Sequence, residues 1–186
     1  TSTFEVAGSQ DDEITDAITY NTRAYVFTKY GTHQISHVGG NPDFAVRQVK
    51  DWGAVPKTVQ RATYGDQGEV LIMLGWDRKV RLFDGTEEVI ISTPVEQNNT
   101  IATTYFDNIN EQQIHKCHAE VDTLKQLYKL WIVVSPSTEV THCMNLNLRT
   151  GAWFPYRAST NQTAAMAESA NRRVMLQVSQ AGRVSI

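Results

Sequence analysis

Five residues carry the side chains that a metal or a reactive thiol would require: His115, Cys117, His118, His142 and Cys143. In an extended strand His115 and Cys117 point to one face and His118 to the other, while His142 and Cys143 lie in a segment that can pair nearby. Zinc needs three or four such ligands converging tetrahedrally, with gaps of about two to four residues between paired ligands. The adjacent Cys117-His118 fits that spacing poorly. A disulfide between Cys117 and Cys143 is a second option and a set of ordinary strand residues a third, which the spacing favours. Two cysteines are too few for a disulfide scaffold and say little about redox compartment.

Acid/base chemistry would need paired carboxylates. Asp66, Asp77, Asp84, Glu87 and Glu88 are grouped in sequence, but all sit in or beside turns, where Asp and Glu serve the backbone. The chain has no Gly-x-Ser-x-Gly elbow, no phosphate loop, no His-Glu-x-x-His and no dinucleotide fingerprint. These residues give no catalytic, cofactor-binding or metal site to assign. An active site built by the fold from dispersed residues is the route left open. Trp52, Trp76, Trp131, Trp153, Phe154 and Tyr156 supply rings for a sugar-stacking platform, yet Trp and Tyr are also ordinary strand residues, and that reading is favoured. Arg23, Lys29, Arg47, Lys50, Lys57 and Arg61 make the first third locally basic, as a solvated strand face would.

The elements that position these residues read as β throughout. Val70 to Leu74, Val80 to Phe83 and Val89 to Ile91 are short apolar runs separated by turns at Gly75 to Arg78 and at Asp84-Gly85. Asp and Gly tolerate the positive φ that a two-residue hairpin demands, so the stretch from Gly68 to Ser92 predicts a three-stranded antiparallel meander. Around it, Arg23 to Lys29 and Thr32 to Val38 form a hairpin, and the β pattern starts at Ile18. Further strands are expected at Phe44 to Val49, Thr58 to Tyr64, Gln113 to Val121, Tyr128 to Val134, Thr141 to Leu148, Ala152 to Tyr156, Thr163 to Glu168 and Arg173 to Ser179. Tyr128 to Val134 is apolar nearly throughout, as a strand buried on both faces is. Ile101, Tyr105, Phe106 and Ile109 have helical spacing and predict one short helix near residues 96–110.

Composition sets the class. The 186 residues are 41% hydrophobic and 20% charged with net charge −3, the values of an ordinary globular chain with enough apolar material for a core. The mild acidity argues against a general nucleic-acid coat. No apolar run approaches the roughly 18 residues of a membrane span, and Thr1 to Val6 lacks the regions of a signal peptide. Residues 1–16 read as a polar connecting arm, with a strand at Phe4 to Val6, and residues 17–186 as the folded domain. The missing initiating Met reads as a processed product or an excerpt of a longer chain, and the final Val184 to Ile186, inside a strand pair, as a truncated architecture whose remaining strands come from elsewhere. At about 40 to 50 residues per four-stranded blade, the chain supplies roughly three to four blades of a β-propeller.

The order Trp52-Gly53-Ala54-Val55-Pro56-Lys57-Thr58-Val59, then Leu71 to Asp77, Val80 to Gly85 and Ile91 to Glu96, resembles the β-propeller tail proteins of short-tailed bacteriophages. Val121-Asp122 through Trp131 is similar to their Asp turn and Tyr-Trp strand, and Asn145-Leu146-Asn147-Leu148-Arg149-Thr150-Gly151-Ala152-Trp153 to their Thr-Gly-Ala-Trp hairpin. The likeness covers roughly residues 20–157. It implies a structural component of a tail or neck assembly and not an enzyme, a hub or nozzle ring through which DNA passes, located in the virion. It further implies partners among other copies of the chain and neighbouring tail and portal proteins, with non-specific contact to passing DNA. A free-standing propeller that binds glycans or acts as a hydrolase is the alternative.

Overall fold

The run from Val70 to Leu74 is buried at every position, and its alternation divides it between two neighbours. Leu71 and Met73 join Tyr20, Tyr25, Phe27 and Phe83 in one cluster, while Val70, Ile72 and Leu74 join Tyr128, Leu130 and Trp131 in another. Successive side chains leave a strand on opposite faces, so this strand belongs to a sheet covered on both sides. Each fully buried Leu, Ile or Met contributes roughly 1.5–3 kcal/mol, which makes this sheet the centre of the fold.

The computed structural model describes residues 12–40, 43–92, 102–157, 161–169, 172–179 and 184–185. Among these the chain is all-β, with four antiparallel sheets whose strand order follows chain order. The first holds β1 (Ile14–Tyr20), β2 (Arg23–Thr28), β3 (Thr32–His37) and β4 (Phe44–Lys50). The second holds β5 (Gln60–Thr63), β6 (Glu69–Leu74), β7 (Val80–Phe83) and β8 (Glu88–Ile90). The third holds β9 (His118–Asp122), β10 (Leu127–Ile132), β11 (His142–Asn147) and β12 (Trp153–Arg157), and the fourth β13 (Asn161–Ser169), β14 (Arg172–Ser179) and β15 (Val184–Ser185). The first three are four-stranded up-and-down meanders, the connectivity of propeller blades.

Their first strands adjoin. The Asp16 carboxylate accepts from the Lys57 backbone N–H at 3.2 Å, the Lys57 carbonyl accepts from Ala119 N–H at 2.8 Å, and the Gln60 amide donates to the Ala119 carbonyl at 3.0 Å. β9 lies along β5, and β13 along β9. Between the sheets, Tyr20 donates its hydroxyl to the Glu69 carbonyl, Tyr128 to the Thr58 carbonyl at 3.0 Å, and the Trp153 indole to the Ile91 carbonyl at 2.8 Å. Each bond gives a large buried ring an outlet for its one polar atom.

Several boundaries depart from expectation. β1 begins at Ile14, ahead of the Ile18 read from the pattern and inside the span assigned to the connecting arm; the expected strand at Phe4 to Val6 lies outside the described residues. Asp84-Gly85 is not the centre of a two-residue hairpin. Gly85 has φ +97°, but Asp84 closes the turn from its first corner, its carboxylate accepting from the N–H groups of Thr86 and Glu87 at 2.8 and 2.7 Å, the Asx arrangement that makes Asp common in turns. Asn147 does the same for Arg149 and Thr150 at 2.9 and 3.1 Å.

The short helix expected near 96–110 falls partly outside the described residues. Within 96–110 a five-residue π-helical turn spans Ala102–Phe106, and the residues before it lie outside the described part. Gln113 to Lys116, expected in a strand, form part of a 3₁₀ turn, Glu111–Lys116, capped by the Asn110 side chain on Gln112 N–H at 3.1 Å. A local Asn cap outweighed the β pattern there.

Candidate functional site

Three connections and two strands meet at a cleft of 530 Å³ between the first and second sheets. The β2–β3 loop brings Lys29 and Tyr30, the segment after β4 brings Asp51, Trp52 and Gly53, and the β6–β7 turn brings Trp76 and Asp77. Arg81 enters from β7 and Glu88 from β8. Gly53 makes the junction possible: a Cβ there would stand 1.7 Å from the Thr28 carbonyl oxygen, so only glycine lets this segment pass the end of β2.

Arg81 is the centre. Its side chain is 7% exposed, and its guanidinium forms a two-pronged bond to Asp77, both contacts at 2.7 Å. Such forked pairs are the strong form of charge-assisted hydrogen bond. Glu88 lies 3.7 Å from the guanidinium Nε and 3.7 Å from the Lys50 ammonium, and accepts the Trp52 indole N–H. The guanidinium rests 5.1 Å from the Trp52 ring centre, and Trp52 meets Phe83 edge to face at 5.7 Å. At the mouth, the Lys29 ammonium stands 5.1 Å from the Tyr30 ring centre and 5.4 Å from that of Trp76. Partial burial pushes the Asp77 carboxyl up, but the Arg81 bonds and the nearby Lys79 outweigh it and hold Asp77 below the usual carboxylate value.

The other candidates separate. Cys117 and Cys143 are buried and free, so the disulfide does not form; burial pushes both thiols up to about 12. His115 is exposed on the 3₁₀ turn, His142 packs its ring on Tyr105 at 5.2 Å, and His118 stacks on Trp131 at 5.1 Å and 10°. Among the described residues no three His, Cys, Asp or Glu side chains converge to hold a metal. Asp84 caps its turn, Asp66 and Glu87 are exposed, and of the five grouped carboxylates only Asp77 and Glu88 come together, joined by Arg81.

Among the described residues the six rings Trp52, Trp76, Trp131, Trp153, Phe154 and Tyr156 do not form one platform; Trp76 stands half-buried at the cleft. Trp52, Trp131 and Trp153 are core residues, while Phe154 and Tyr156 are exposed on β12. Of the six basic residues, Lys50 is half-buried beside Glu88, Arg61 pairs with Glu69 at 3.4 Å, and Lys29 covers the two rings at the cleft mouth. Arg81 was missed. Its signal is a charged residue inside the apolar run Val80 to Phe83, four positions after an Asp in the preceding turn. No helix among the described residues is long and apolar enough to cross a membrane. Neither the protein-family models nor the curated proteins give a match to this chain.

Proposed function

We propose that this protein is a structural component of a bacteriophage tail or neck assembly, one arc of a hub or nozzle ring through which DNA passes, located in the virion. What supports the reading is the stacking of successive blade-like meanders together with the outward face of the first. On β1–β4 the face turned away from β5–β8 carries Ala17, Thr19, Ala24, Val26, Ile35, Val46 and Phe44 together with His33, His37 and Gln48, as the register Ala17 to Val26 to His33 to Gln48, Thr19 to Ala24 to Ile35 to Val46, and His37 to Phe44 requires. Ala17, Thr19 and Phe44 are exposed, and Ala24, Ile35 and Val46 half-buried. A rigid sheet with a mixed face of small and apolar side chains interspersed with His and Gln can dock on the next copy or on a neighbouring tail protein, as closed rings require.

The test is the native mass of the particle from which the chain is purified. Stoichiometric presence in a megadalton assembly, lost when Phe44→Glu places a charge on the outward face, is the expected result. A chain that stays folded and runs as a monomer at high concentration, with no particle containing it, refutes the reading.

A further inference from the structure

The Arg81 cleft is lined by loops and strands of the first two sheets, and its chemistry is that of a small-ligand site. At 530 Å³ it falls in the roughly 300–1,000 Å³ range of ligand pockets. Its lining sets two cations, Lys29 and Arg81, against three carboxylates, Asp51, Asp77 and Glu88. Near-balanced charge gives neither an anion nor a cation a strong net attraction. The same groups are rich in donors and acceptors: each carboxylate keeps open lone-pair positions, the ammonium has three N–H groups, and the buried Arg81 Nε has no hydrogen-bond partner. Beside them stand the rings of exposed Tyr30 and half-buried Trp76, each with the Lys29 ammonium over it, while Trp76 also packs against the core and donates its indole N–H to the Ala54 carbonyl at 3.0 Å. The Lys29 stem comes from an exposed loop residue and can swing away.

We propose that this cleft binds a neutral saccharide of one or two rings. Such a ligand is uncharged, presents paired donors and acceptors around its rim, and has an apolar C–H face to lay on an aromatic ring. Asp51, Asp77 and Glu88 accept from its hydroxyls, Lys29 and Arg81 donate to them, and Tyr30 and Trp76 take the apolar face. An acidic sugar would meet the three carboxylates, and a polyamine would have to displace Lys29 from the two rings.

The test is calorimetric titration of the full chain with glucose, galactose, N-acetylglucosamine and maltose, each to about 50 mM, which reaches binding as weak as the millimolar range. Trp emission is followed in parallel. At least one of the four is expected to bind saturably and shift the emission of Trp52 and Trp76. Tyr30→Ala and Asp51→Asn, both changes at exposed positions, should each weaken it at least tenfold, with circular dichroism verifying the fold. Three results overturn the proposal: none of the four sugars binds the folded wild type, binding is unchanged in both variants, or glucuronate or spermidine binds more tightly than every neutral sugar. Native mass does not enter these outcomes, so the cleft and the ring reading stand or fall separately.

Discussion

Replacing Asp77 by Asn removes the charge that both arms of the Arg81 fork bind while keeping the side chain's shape. Two charge-assisted bonds at 2.7 Å are at stake, and hydrogen bonds to charged groups contribute roughly 1.5–3 kcal/mol. The Asp77 side chain is 43% exposed, so solvent screens the pair and the expectation falls to about 1–2 kcal/mol. Glu88 at 3.7 Å still faces the guanidinium, which keeps Arg81 from becoming an orphaned buried charge and its removal from costing more. For a chain of this length that loss lowers Tm by roughly 2–8 °C.

The sign with pH is fixed by the same contact. The folded-state pKa of Asp77 is depressed below 3.8, so its contribution is fully present above 3.8 and is lost as pH falls through the lower folded value. Urea unfolding followed by Trp fluorescence at pH 7 should show the Asp77→Asn deficit, and at about pH 2.5 the deficit should shrink. The double variant with Arg81→Met should reveal a coupling of about 1–2 kcal/mol. Additivity of the two single changes within about 0.3–0.5 kcal/mol, or a deficit independent of pH, refutes the assignment of stability to this pair.

Gly75→Ala should disturb the same pair from the backbone side, since its Cβ would fall 2.5 Å from both Arg81 Nη1 and Asp77 Oδ1; a loss of about 1–3 kcal/mol in urea is expected, and an unchanged midpoint contradicts it. Gly53→Ala, whose Cβ would meet backbone and not a movable side chain, should be more damaging than Gly75→Ala in the same assay. Cys117 and Cys143, with thiols pushed up to about 12 by burial, should resist a thiol-specific chromogenic reagent at pH 8 and both react once urea unfolds the chain; one rapid native reaction would place a thiol at the surface. Burial also pulls the His118 imidazole below its ordinary 6.5, so its share of stability is complete above 6.5 and lost as pH falls toward the folded value. His118→Phe, which keeps a ring on Trp131, should flatten the loss of stability between pH 7 and 5, and an unaltered slope shows that His118 does not titrate there.

Periodicity and turn chemistry were legible because they are local. The apolar run at Tyr128 to Val134 gave a strand buried on both faces, Val70 to Leu74 gave a strand of the meander, and Arg149 to Gly151 gave a tight turn, whose Gly151 takes φ +72°. The boundary at Gln113 to Lys116 was not, since alternating polarity fits an exposed strand as well as a 3₁₀ turn and the Asn110 cap decides between them. Of the candidate site, Asp77, Glu88, Trp52 and Trp76 were visible as residue types in turns and strands. Their company was not.

Side-chain spacing along the chain therefore determined the all-β class, the meanders and most turns, because alternation and φ preference act within a few residues. Only the tertiary structure decided that His118 stacks on Trp131 instead of joining Cys117 at a metal, and that Lys29, Trp52, Asp77, Arg81 and Glu88 share one cleft. Those groups come from two strands of the second sheet and three connections. Burial of Arg81 between Asp77, Glu88 and the Trp52 ring is a property of how the sheets pack, and no local pattern encodes that packing.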